Sequence, residues 1–160
     1  MKVILLPFVT LIFSTFFSGC VTKEVTKGRI DLIYELRKAK FPIFFNRPVI
    51  AKVDDTGRID IYQVVMNISN RGIKYLDITY SSYNGKEEKI ADKTVKVKGP
   101  IKHAGYNRNL YEEVFHDNTV ACIKINSLKV VFMDGKERYF SEKDIAKDYV
   151  IDKDKLKVCF

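Results

Sequence analysis

Tryptophan is absent from this 160-residue chain, and cysteine (three) and histidine (two) are scarce. Each shortage removes a class of chemistry. Two imidazoles, His103 and His116, are thin material for a metal site. No C-x-x-C pair occurs, so neither a thioredoxin-like redox motif nor a zinc knuckle is indicated. No G-x-S-x-G nucleophile context is present, and the acidic residues form no D-x-D-x-D-G calcium loop. Nothing implies a cofactor. The formal charge is +8, but the lysines and arginines are scattered rather than blocked. A nucleic-acid partner is therefore not expected.

What is present begins at residue 1. Lys2 supplies a positive n-region, and Val3 to Phe17 form an apolar run broken by Pro7, Thr10, Ser14 and Thr15. Small residues Ser18 and Gly19 then precede Cys20, the layout of an export signal. An uncleaved transmembrane helix is the alternative. Against it, Val3 to Ser18 is short beside the ~20 apolar residues that a spanning helix needs.

Ser18-Gly19-Cys20 resembles the lipobox of the bacterial lipoprotein signal. That resemblance implies a diacylglyceryl group on the Cys20 sulfur, cleavage between Gly19 and Cys20, and acylation of the new amine. Two or three chains on one residue suffice for stable membrane attachment, where one is marginal. Val21, rather than Asp, follows the cysteine. By the same resemblance this favours the periplasmic face of the outer membrane, in a cell that has one.

The chain divides into a signal peptide (1–19), a lipidated N-terminus with tether and short helix (20–47), and a β-sandwich domain with a C-terminal helix (48–160). Residues 20–160 are enough for one domain with a real core. Loss of Lys2 lowers the charge by one. A basic exported domain suits anionic headgroups or an acidic protein surface, although the excess also serves solubility. Residues 30–39, IDLIYELRKA, have helical spacing and stop before Pro42. That helix would either lie on the membrane or cap the domain.

From Pro48 the punctuation is that of an all-β chain. Val49–Val53 precedes the turn Asp54-Asp55-Thr56-Gly57. Tyr62, Val64, Met66 and Ile68 then share one face of a strand over 59–69. Leu76, Ile78 and Tyr80 share a face of the next, over 73–83. Asn84-Gly85 and Asp134-Gly135 carry the signature of two-residue type I′ hairpins. Residues 87–97 form a further strand, and 101–118 is irregular, with a strand or short helix at Leu110–Phe115. Within 119–133 the inward parity switches from Ile123 and Ile125 to Leu128, Val130 and Phe132, which places a bulge near Asn126-Ser127. Residues 136–140 form the next strand. Ser141 and Asp144 make a capping box for a helix over 142–149, and KLKVCF forms a last strand. About seven strands with regular turns indicate an immunoglobulin or fibronectin-like sandwich, a barrel being the alternative.

The motifs N-I-S-N-R-G-I-K-Y-L, S-Y-N-G, G-P-I, V-A-C-I-K-I and M-D-G, within 57–135, resemble a group of bacterial immunoglobulin-like domains. The match covers about half the chain and rests mostly on turn chemistry. It implies the sandwich fold and supplies no catalytic residues.

With Cys20 committed to lipid, Cys122 and Cys159 are left as a possible disulfide, permitted in an oxidising compartment. In the loop-entropy model that crosslink is worth ~3–4 kcal/mol. Two free thiols remain the alternative. His116 and Asp117 are neighbours, yet adjacent strand residues point to opposite faces, so a catalytic pair is not indicated. Tyr75, Tyr80, Tyr83, Tyr106 and Tyr111 would pack the sandwich or form a contact surface. The expected function is a non-catalytic, membrane-anchored binding or assembly module at the cell envelope. Two other classes remain: an envelope enzyme with a site near His103, His116 and Asp117, or an inhibitor of an extracytoplasmic hydrolase.

Overall fold

The computed structural model describes residues 41–45, 50–148 and 157–160. The expected helix over 30–39 and the anchor segment lie outside them. The strands are β1 (Ile43–Phe45), β2 (Ile50–Val53), β3 (Arg58–Asn67), β4 (Ile73–Asn84), β5 (Lys89–Ile101), β6 (Tyr106–His116), β7 (Val120–Phe132), β8 (Glu137–Ser141) and β9 (Lys157–Cys159). A single helix among the described residues, α1 (Glu142–Asp148), follows β8. None of the described helical residues form a segment long and apolar enough to cross a membrane.

All strand pairs are antiparallel and fall into two sheets. In the first, β1 and β2 follow one another along one edge of β3, and β6 takes the other edge. In the second the order is β5-β4-β7-β8, and β9 shares with β8 the outer edge of β7. Nine described strands thus fill seven positions. The chain is an all-β sandwich.

Between the sheets lie Ile59, Ile61 and Val65 of β3, Leu76, Ile78 and Tyr80 of β4, and Ile123, Ile125, Leu128 and Val130 of β7, all buried. Burial of each such side chain contributes roughly 1.5–3 kcal/mol before the entropy of ordering is subtracted. Gln63 is buried with them, and the Tyr80 hydroxyl donates to its Oε1 at 3.5 Å. The inner face of β3 is therefore the odd-numbered one, carrying Gln63. The apolar series at 62, 64 and 66 points the other way.

The parity switch in β7 has the expected cause. Ser127 pairs with Thr79 and Ile125 with Tyr80, which leaves Asn126 as an extra residue. The bulge turns Leu128, Val130 and Phe132 back to the face that Ile123 and Ile125 occupy. The capping box is also present: Asp144 Oδ2 accepts from Ser141 N–H at 2.8 Å and from its hydroxyl at 2.6 Å.

Three local expectations need correction. Ile43–Phe45, within the stretch 20–47 expected as tether and helix, is a strand paired with β3; Phe41–Phe45 are buried, so the sandwich begins before Pro48. Residues 106–116 form one continuous strand rather than an irregular segment. A bulge hides it. Glu113 takes φ 50°, and Asp60 Oδ1 accepts its backbone N–H at 2.8 Å, filling the gap in the ladder. Neither hairpin turn is of the two-residue kind. Asn84 N–H donates to Glu88 O at 3.0 Å and Glu87 N–H to Asn84 O at 3.0 Å, the pattern of a three-residue loop. The same pattern closes 54–58 and 132–136. Gly57 (φ 80°) and Gly135 (φ 79°) occupy the left-handed third position, but at 84–88 that position falls to Glu87 (φ 63°).

Candidate functional site

One end of the sandwich is built by the β3–β4, β5–β6 and β7–β8 loops, and the described chain enters there at Phe41-Pro42. Asn67 ties the β3–β4 and β5–β6 loops together. It is fully buried at the end of β3, and its Nδ2 donates to Arg71 O at 2.7 Å and to Ile101 O at 2.9 Å. Its Oδ1 accepts from Ser69 N–H at 3.0 Å and Ser69 Oγ–H at 2.7 Å. Its backbone accepts from Ala104 N–H and donates to Gly105 O, at 2.8 and 3.0 Å. Every polar atom of this side chain is occupied, so the Asn67-Ile68-Ser69 sequon is a turn anchor. Ile68 N–H donates to Pro42 O at 2.9 Å, which brings in the entering chain.

These connections enclose a cleft of about 570 Å³, within the range of small-ligand sites. Its apolar lining is Phe41, Pro42, Ile68 and Phe132; its polar lining includes Arg71, His103 and Arg138. Phe41, two residues before β1, meets Phe140 of β8 edge to face at 4.8 Å. The Arg71 guanidinium lies 5.5 Å from the Phe132 ring centroid and 3.5 Å from the Asp134 carboxylate. Arg138 lies 4.6 Å from the centroid of Phe140. Aromatic faces hold both guanidinium groups. His103 Nδ1 is 2.6 Å from Ser69 O, which fixes the ring against the β3–β4 loop.

The other histidine is elsewhere. His103 precedes β6 and His116 ends it, so roughly 30 Å of strand separates them at 3.3 Å per residue. His116 Nδ1 contacts Glu113 Oε1 at 3.1 Å, while Asp117 Oδ1 accepts from Thr119 N–H and its hydroxyl at 2.8 and 2.6 Å. The His103, His116 and Asp117 constellation is not assembled. Among the described residues no cluster of three or more His, Cys, Asp or Glu is placed to hold a metal. The tyrosines are likewise dispersed: Tyr80 is in the core, Tyr106 is 44% exposed on β6, and Tyr75 lies under the Lys96 ammonium at 4.4 Å.

Cys122 and Cys159 are disulfide-bonded, with Cα atoms 4.0 Å apart. They are directly opposed on β7 and β9, and Phe160 N–H donates to Ala121 O at 2.9 Å beside them. The crosslink thus secures β9, which only three register pairs hold to β7. Cys20, the expected lipid-attachment residue, lies outside the described residues.

The cleft was not visible in sequence. Its residues come from four separated segments, and each alone reads as a turn or strand end. The available signal was basic residues beside turn motifs, as in Asn70-Arg71-Gly72 and Lys102-His103.

No protein family matches the chain, and no curated protein matches it in sequence. Solved structures do resemble it. IrmA from Escherichia coli is 12% identical with a TM-score of 0.42, over 62% of this chain and 89% of that one. Cwp6 from Clostridium difficile is 9% identical with a TM-score of 0.48, over 74% of this chain and 17% of that one. The likeness is one of β-rich fold.

Proposed function

We propose that this protein is a lipid-anchored, non-catalytic recognition module of the bacterial cell envelope. The observation that carries this reading is the lipobox-like Ser18-Gly19-Cys20 behind a basic and apolar leader. The disulfide between Cys122 and Cys159 is consistent with export. Confinement to a surface raises the effective concentration of such a module for partners on the same surface. The loop end around the cleft is the recognition surface, because Asn67 locks its β3–β4 and β5–β6 loops together and the end presents cationic groups over an apolar floor.

Cys20→Ser tests the anchor. In cells, the wild-type chain should pellet with membranes as a processed form. The variant should keep its leader or leave the acylated pool. An identical processed, membrane-bound form from Cys20→Ser would reject lipid attachment.

A further inference from the structure

We infer that the outer edge of β6 pairs with the same edge of a second copy of this chain, antiparallel and centred on Leu110. The first sheet then runs continuously from one molecule into the other.

The edge is open and regular over the stretch that matters. β6 pairs with β3 along one side, and no described strand takes the other. Asn67 N–H donates to Gly105 O, which fixes the alternation along this pair. Residues 105, 107, 109 and 111 direct their backbone groups to β3, while Arg108, Leu110 and Glu112 direct theirs outward. Such a row of unpaired backbone groups is a template for another strand. The regular stretch stops at Glu113, whose φ of 50° bends the strand where Asp60 accepts its N–H. The segment 108–112 is therefore the pairing unit.

Its side chains are self-complementary. Arg108, Leu110 and Glu112 alternate onto the outer face of the sheet. In an antiparallel pair about Leu110, that residue meets its own copy, and each Arg108 lies opposite Glu112 of the second copy. Leu110 is 58% exposed. The Glu112 side chain reaches Arg58 only at 4.0 Å, and exposed Arg108 has no ion-pair partner among the described residues. Leu110 also ends an apolar row: it opposes Tyr62 on β3, which opposes Ile50 on β2. Pairing joins this row to its copy and covers Leu110, which the core does not use.

β5, the other long edge, is guarded. It carries Lys89, Lys93, Lys96 and Lys98 against Asp92, whose carboxylate Lys89 and Ser81 already engage at 2.6 Å each. A lysine-rich edge discourages strand addition. Pairing over so short a segment gives a reversible dimer rather than an obligate one.

Sedimentation equilibrium of the full chain in a neutral maltoside detergent supplies the first test. The wild type should dimerise reversibly as concentration rises. Arg108→Glu sets like charges opposite one another twice and should weaken dimerisation by about tenfold. Adding Glu112→Arg in the same chain reverses both pairs and should restore it. Crosslinking with a short bifunctional thiol reagent reads the register, with the wild type as background. Leu110→Cys chains should join, since directly opposed Cα atoms lie about 5.5 Å apart. Arg108→Cys chains should join Glu112→Cys chains but not each other, their like positions being about 14 Å apart at ~3.4 Å per residue. Thr94→Cys on β5 should stay at background. A monomer at every concentration would overturn the inference, as would a dimer indifferent to Arg108→Glu. Failure of Glu112→Arg to restore pairing, or equal crosslinking from Thr94→Cys and Leu110→Cys, would do the same. If Arg108→Glu does not fold, the cysteine variants still decide. None of these readouts depends on lipid at Cys20, so failure here leaves the anchor standing.

Discussion

Asn67 Nδ2 donates to the carbonyl of Ile101, 34 residues away, at 2.9 Å, and the same amide donates to Arg71 O at 2.7 Å. One buried side chain thus sets the spacing of the β3–β4 and β5–β6 loops. Asn67→Ala strands the buried Ile101 carbonyl and the half-buried Ser69 N–H, while Arg71 O keeps the Ser69 hydroxyl as donor; an orphaned buried group costs about 1–3 kcal/mol. We expect a loss of about 2–4 kcal/mol in urea unfolding. Ser69→Ala, which leaves the Asn67 amide in place, should cost about 1 kcal/mol or less. Equal losses would show that Asn67 is not the organising group.

The three matching hairpin loops make a paired prediction. Glu87 carries the left-handed conformation that Gly57 and Gly135 carry in the other two. Glu87→Gly should stabilise the protein by about 0.5–1 kcal/mol, and Gly135→Ala should destabilise it by about 1–2 kcal/mol. Gly85→Ala should be near neutral, because nothing lies within 4 Å of an added Cβ and its φ is not positive. Thermal midpoints of the three variants give the comparison.

Removal of the disulfide should act on one strand first. Cys159→Ser releases a closure spanning 37 positions, worth about 4 kcal/mol in the loop-entropy model. Hydrogen exchange should accelerate at β9 and along its stretch of β7 before it does in β4. Uniform acceleration would mean that the crosslink stabilises the whole sandwich at once.

Acid should loosen the acidic end. Hydrogen bonds from Thr56 hold Asp54 below the ordinary carboxylate value, those from Thr119 do the same for Asp117, and the Glu113 backbone N–H, followed by Arg58, does so for Asp60. A carboxyl with a lowered folded pKa binds fewer protons in the fold than in the unfolded chain. Its contribution is complete above the ordinary value of 3.8 and is lost as pH falls through the lower folded value. Stability should therefore drop below about pH 4. Asp60→Asn should flatten that drop while lowering stability at pH 7; an unchanged acid profile would remove Asp60 from the account. At the opposite extreme, burial pushes the Tyr111 hydroxyl up to about 12, so its protonated form favours the fold. Stability should decline as pH rises from 10 toward 12.

Features carried by local periodicity were legible in the sequence. The faces of β4 and β7, the Asn126 bulge and the Ser141–Asp144 box each depend on residues a few positions apart. What was missed depends on partners distant in the chain. Three residues at Ile43–Phe45 are too few to show a period, and their strand character comes from pairing with β3. The β6 strand was obscured because its bulge is filled by Asp60, 53 residues earlier. Gln63 disguised the inner face of β3, since a buried amide reads as exposed until its Tyr80 partner is placed. The cleft belongs to the same class. Only the folded chain brings Phe41, Arg71, His103 and Arg138 together.

The central claim is attachment through Cys20, and an intact mass of the protein extracted from its own cell membranes tests it most directly. The account predicts a chain that begins at Cys20, lacks residues 1–19, and carries the added mass of a diacylglyceryl group with or without a further acyl chain. A mass equal to the unprocessed chain from Met1, or to a processed chain without acyl mass, would contradict it.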